Sequence, residues 1–131
     1  MKKLKSAPES AGCPFKPTKQ ALQDRPLLST EQTHALCFLF RTLSNDTRLR
    51  LLHALTRQEE MCVSDLADTV EMKAQAVSNQ LKQLAAHNIV DFRKDGLQVF
   101  YRIADPCIVA LLDYALCSAE CSMAHNGKGT G

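Results

Sequence analysis

The sequence predicts a mainly α-helical domain carrying a small β-hairpin, on three observations. Apolar residues recur at helical spacing in successive segments between Thr30 and Cys121. After Ala86 the period changes, and Ile89 to Arg93 and Val99 to Ile103 read as two short strands. Between those strands Asp95-Gly96 supplies the backbone freedom of a hairpin turn.

At 131 residues the chain suits one domain with its own core rather than two. Hydrophobic residues make up 45% and charged residues 23%, which argues against global disorder. Residues 1–28 hold Pro8, Pro14, Pro17 and Pro26 among polar and basic residues, and are expected to be a flexible basic arm. Residues 29–121 form the expected folded domain, and 122–131 a polar, glycine-bearing, disordered tail. Lys2, Lys3 and Lys5 are not followed by the apolar core of a signal peptide, and no run approaches the ~20 apolar residues of a bilayer span. A cytoplasmic protein without a membrane partner is expected. In that reducing compartment six cysteines point to metal binding or thiol chemistry rather than to structural disulfides.

Each element has its own signal. Ser29 with Gln32 makes a capping box, and Leu36, Leu39, Phe40 and Leu43 follow, so the first helix is expected over about Thr30 to Leu43, with Cys37 as a small core residue. Asn45 or Asp46 caps a second helix with the stripe Leu49, Leu52, Leu55. Met61 to Val70 carries Val63, Leu66, Ala67 and Val70 as the stripe of a third. The turn Glu71-Met72 then leads to a helix opened by Lys73 and packed through Val77, Leu81 and Leu84. Asp105-Pro106, a capping acid followed by proline at the first helical position, opens a last helix that is apolar on most of its surface. Such a helix needs a partner, and the same helix of a second subunit would serve.

Two short helices in close sequence, with a hairpin behind them, make a winged helix-turn-helix reading head for double-stranded DNA. Gln75, Ser78, Asn79, Gln80, Lys82 and Gln83 lie off the apolar stripe and carry groups that can pair with base edges. Arg93, Lys94 and Arg102 on the hairpin, and Arg48 near the start of the second helix, can pair with phosphates. The net charge of +2 is small, but five Lys/Arg against two Asp fall within residues 73–102, and six Lys/Arg against two acids within residues 1–28. An enzyme is not expected, since His34, His53, His87 and His125 are scattered and no nucleophile motif or phosphate-binding glycine loop occurs.

On these residues the chain resembles the ArsR/SmtB family of metal-sensing repressors. The resemblance spans about residues 30 to 121: LSNDTRLRLLHAL for the second helix, MCVSDLA for the metal-box helix, AVSNQLKQL for the reading helix, RKDGLQVFYRI for the wing and DPCIVALLDYAL for the terminal helix. It implies a homodimer joined through its first and last helices, bound to a two-fold-related operator when metal-free and released by an inducer.

The family senses at two places. One joins cysteines of the N-terminal arm to a box commonly written ELCVCDL. Here the box reads EMCVSDL, so Cys62 is kept, Ser64 stands where a second thiol is common, and Cys13 is the arm's donor. The Cys13-Pro14 dipeptide is too short to assign haem. The other place is the terminal helix, where the matching positions are Asp105, Cys107, Ser118 and Cys121, with Cys117 one turn before the last. Cys107 and Cys121 are about 21 Å apart along one helix, so they cannot chelate within a chain. Antiparallel terminal helices would bring Cys107 of one subunit to Cys117 and Cys121 of the other. Three thiolates favour Cd(II), Pb(II), Cu(I) or As(III), and Zn(II) is compatible if Asp105 joins them.

Two other readings keep the fold. A thiol-redox or sulfide-responsive repressor would place a reactive cysteine in the second helix, where this chain has His53. A winged helix used only for protein contacts would lack the steep salt dependence that phosphate pairing imposes.

Overall fold

The computed structural model describes the backbone of residues 21–129 and the side chains of residues 21–126. Cys13 and most of the expected arm lie outside the described residues. Its elements, after a 3-10 turn at Leu22–Asp24, are α1 (Thr30–Leu43), α2 (Asp46–Arg57), β1 (Met61–Cys62), α3 (Val63–Val70), α4 (Ala74–Ala86), β2 (Val90–Asp95), β3 (Gln98–Ile103) and α5 (Pro106–Gly129).

Local chemistry sets most boundaries. The Ser29 hydroxyl accepts from the Gln32 backbone N–H while the Gln32 side chain accepts from the Ser29 N–H, closing the expected capping box. Asn45 Oδ1 accepts from the Arg48 N–H at 3.0 Å and starts α2. Glu71 ends α3 in the left-handed conformation (φ 57°), and this reverses the chain into α4. Asp105 Oδ1 accepts from the Cys107 N–H at 2.9 Å, with Pro106 as the first residue of α5.

The core lies where α2, α3 and α4 meet the sheet. Leu51, Leu52, Leu66, Val77, Leu81, Leu84 and Val90 are fully buried, each removal of such a side chain from water contributing roughly 1.5–3 kcal/mol. Tyr101 and Ile108 close the core from β3 and α5.

The structure corrects several expectations. Met61–Cys62 is a strand rather than the start of a helix: it pairs antiparallel with β3, Met61 opposite Tyr101 and Cys62 opposite Phe100, giving a sheet of order β1-β3-β2. The hairpin's two-residue loop is Gly96-Leu97, because Asp95 pairs with Gln98, and Gly96 takes the positive φ of 66°. Leu49 is exposed, and Leu51 and Ala54 join Leu52 and Leu55 on the buried face of α2. Cys37 is exposed as well, since α1 buries only Thr42 and Leu43 at its C-terminal end.

The terminal helix differs most. It runs on to Gly129 instead of ending at Cys121, with Met123 and Ala124 favouring helix just past that point. Ile108 is buried against the core, while Tyr114 is 79% and Met123 69% exposed. Residues Pro106–Asn126 are long and apolar enough to cross a bilayer by length and composition, with a mean hydropathy of 1.5 and little of the stretch buried. Asp113 and Glu120 interrupt the segment, so it does not read as one continuous apolar run.

Candidate nucleic-acid interface and thiol sites

The reading helix α4 buries Val77, Leu81 and Leu84 and turns its other side outward. Gln75, Asn79, Lys82 and Gln83 are exposed, and Ser78 is half-buried. Gln75 Nε2 donates to Asn79 Oδ1 at 3.2 Å, one turn on, so the two amides present a joined polar edge. Lys73, at the N-cap of α4, is also exposed; the charge count includes it but the expected contacts do not.

Gln80 and Arg48 are engaged within the fold. Arg48 Nε donates to Gln80 Oε1 at 2.7 Å, and its Nη1 donates to the Thr42 carbonyl at 2.9 Å. The guanidinium therefore links the end of α1, α2 and the reading helix, with Nε and Nη1 both engaged inside the fold.

The hairpin's arginines are paired too. Arg93 Nε lies 3.1 Å from Glu60 Oε1 and 3.2 Å from Oε2, and its Nη2 also donates to Oε1. Its carbon stands 4.7 Å over the Phe100 ring, and Nη1 is 3.7 Å from an Asp95 oxygen. The Arg93 hydrogen bond holds the Glu60 carboxyl below the usual carboxylate range, and the same bond raises the Arg93 pKa. Arg102 Nη2 lies 3.2 Å from Asp91 Oδ2 across the hairpin. Among the described residues no ion pair involves Lys94 or Lys82, both exposed. Glu60 has no local sequence signal, since its partner is 33 residues away. Beneath the wing, burial pushes the Tyr101 phenol above its ordinary pKa.

Apart from the exposed Cys37 on α1, the described thiols divide between two regions. Cys62 is buried in β1, with Sγ 3.4 Å from Ser64 Oγ. It lies in the wall of a cleft of about 350 Å³ whose lining includes Gln75 and Ser78 of α4 and Leu97 and Gln98 of the hairpin. On α5 Cys107 is half-buried in the first turn, and Cys117 and Cys121 are exposed one turn apart. Asp105 is half-buried beside Cys107, with one oxygen engaged in the cap. Among the described residues, no three His, Cys, Asp or Glu side chains of one subunit gather as an ion site. A donor set of Cys107, Cys117 and Cys121 thus needs a second chain.

Comparison with known proteins agrees with this architecture. The sequence profile of a helix-turn-helix domain matches residues 43–91. The chain is 37% identical over 94 residues to the transcriptional repressor SmtB homolog of Synechocystis sp., covering 71% of this chain and 70% of that protein. It is 33% identical over 86 residues to the cadmium resistance transcriptional regulatory protein CadC of Listeria innocua, covering 66% and 72%. The crystal structure of the AntR antimony-specific transcriptional repressor superposes with a TM-score of 0.72 at 46% identity, covering 86% of this chain and 99% of that one. An exposed reading helix, a paired hairpin behind it and these relatives together show that the chain belongs to the ArsR/SmtB family of metal-sensing, winged helix-turn-helix transcriptional repressors, which are regulators and not enzymes.

Proposed function

We propose that this protein is a cytoplasmic repressor that binds operator DNA as a homodimer and is released by a thiophilic ion, with a trivalent metalloid such as Sb(III) or As(III) as the first choice. The observation that carries this reading is the disposition of thiols on α5: one in the first turn, and two exposed one turn apart, about three and four turns further along. Antiparallel pairing of α5 with that of a second copy would cover the bare apolar flank and bring Cys107 of one to Cys117 and Cys121 of the other. Three sulfurs suit a soft, three-coordinate centre better than a hard cation. The antimony-specific repressor with 46% identity supports the metalloid within that class. The Cys13 and Cys62 pair is the weaker site, because Cys62 is buried and a hydroxyl replaces its neighbouring thiol.

Release follows from linkage. An ion that prefers a dimer geometry fitting DNA poorly lowers DNA affinity by the factor by which DNA lowers ion affinity. The test is a DNA-binding titration against Sb(III), As(III), Cd(II), Pb(II), Cu(I) and Zn(II), repeated with Cys107→Ser and Cys62→Ser. Cys107→Ser should abolish release and Cys62→Ser should leave it intact. The opposite result would move sensing to the N-terminal site.

A further inference from the structure

The reading helix is held to α1 at two points. Near its middle, Gln80 Oε1 accepts from Arg48, whose other arm reaches the Thr42 carbonyl at the end of α1. At its C-cap, the His87 ring stacks on Phe38 of α1, with centroids 4.7 Å apart and planes 12° from parallel. Gln80 and His87 are two turns apart and share one side of α4, so the contacts are separated by about 10 Å along its axis. Phe38 and Thr42 are one turn apart on α1, and the Thr42 hydroxyl donates to the Phe38 carbonyl. One contact alone would leave a pivot; two separated contacts fix a direction. The buried His87 Nδ1 makes no hydrogen bond among the described residues, so it is the ring face that holds this residue in place.

We propose that Gln80, Arg48, His87 and Phe38 are positioning residues that lock the angle of the reading helix against α1, and thereby set the half-site spacing the repressor accepts. The proposal rests on the reading that two copies associate through α1 and α5. If α1 belongs to the dimer interface, the distance between the two reading heads is as well defined as the joint between α1 and α4. Half-site spacing then becomes a property of this clamp as much as of the interface.

The experiment compares wild type, His87→Ala/Gln80→Ala, and the conservative pair His87→Phe/Gln80→Glu. Phenylalanine keeps the stack and removes the unpaired nitrogen; glutamate keeps an acceptor for Arg48. Binding is measured to a selected inverted repeat, to the same repeat with one or two base pairs inserted at its centre, and to a single half-site, with mass by sedimentation and thermal melting alongside. The alanine pair should keep dimer mass, while discrimination between the native and lengthened spacers, each affinity taken relative to the half-site, falls by about tenfold. The conservative pair should retain discrimination. Unchanged discrimination in a folded, dimeric alanine pair overturns the proposal. So does an equal loss on the half-site, which would make Gln80 a direct base contact. If the alanine pair does not fold, the conservative pair decides: discrimination kept supports the clamp, and discrimination lost in a folded dimer overturns it. A monomeric wild type would instead overturn the association reading, with the joint between α1 and α4 left as described.

Discussion

Replacing Glu60 with Gln should tighten DNA binding and steepen its dependence on salt. In the native protein the Arg93 guanidinium is shared between both Glu60 oxygens and the Phe100 ring, so the wing offers phosphate little free charge at that position. The Gln side chain removes the competing negative charge, and the remaining Asp95 contact is long, at 3.7 Å between exposed groups. Each phosphate newly neutralised adds about 0.9 to the slope of log K against log salt, hence about 1.8 for a dimer. Between 50 and 200 mM salt, that extra slope corresponds to an affinity drop about 12-fold larger than in wild type. The assay is fluorescence anisotropy on a duplex selected by the protein from a randomised pool, across a salt series. Arg93→Ala should leave the slope nearly unchanged, whereas Lys94→Ala should flatten it by about 0.9 per subunit. An unchanged slope in Glu60→Gln, together with an Arg93→Ala slope as flat as that of Lys94→Ala, would refute the reasoning, because Arg93 would then already be on the phosphates.

Two stability predictions follow from the fold. Leu81 is fully buried under the reading helix, so Leu81→Ala should cost about 2–5 kcal/mol in urea unfolding, and a cost under about 1 kcal/mol would mean that the site collapses around the gap. Glu71 is exposed and holds a left-handed φ of 57°, so Glu71→Gly should stabilise by about 1 kcal/mol; a loss would show that its side chain makes a contact worth more than the strain.

The sequence made legible what is decided within a few residues. Capping pairs such as Ser29 with Gln32, the proline after Asp105, and the apolar stripe Val77, Leu81, Leu84 each act over one or two turns. What it hid depends on partners brought in from afar. A two-residue strand at Met61–Cys62 has no periodicity to read, and exists because Tyr101 and Phe100 lie beside it. Arg48 and Arg93 look in sequence like free cations; Gln80, 32 residues from the first, and Glu60, 33 residues from the second, occupy them. Cys37 and Leu49 look like core by composition, yet each sits on a helix side that the subunit's own core does not reach. Among the candidate ligands, the thiols of α5 were legible as a spacing, while their convergence requires a chain the sequence does not describe.

The bare flank of α5 has a consequence for how this protein is handled in solution. A subunit that seats Ile108 and leaves Tyr114, Leu116 and Met123 in water has an incomplete inventory of favourable contacts. Anything that binds only the native form raises apparent stability by mass action, so melting temperature should climb with protein concentration. Dilution would expose an oily rod to chaperones, proteases and detergents, and a freshly translated copy would meet them first. Turnover of the regulator would then be governed by its own abundance.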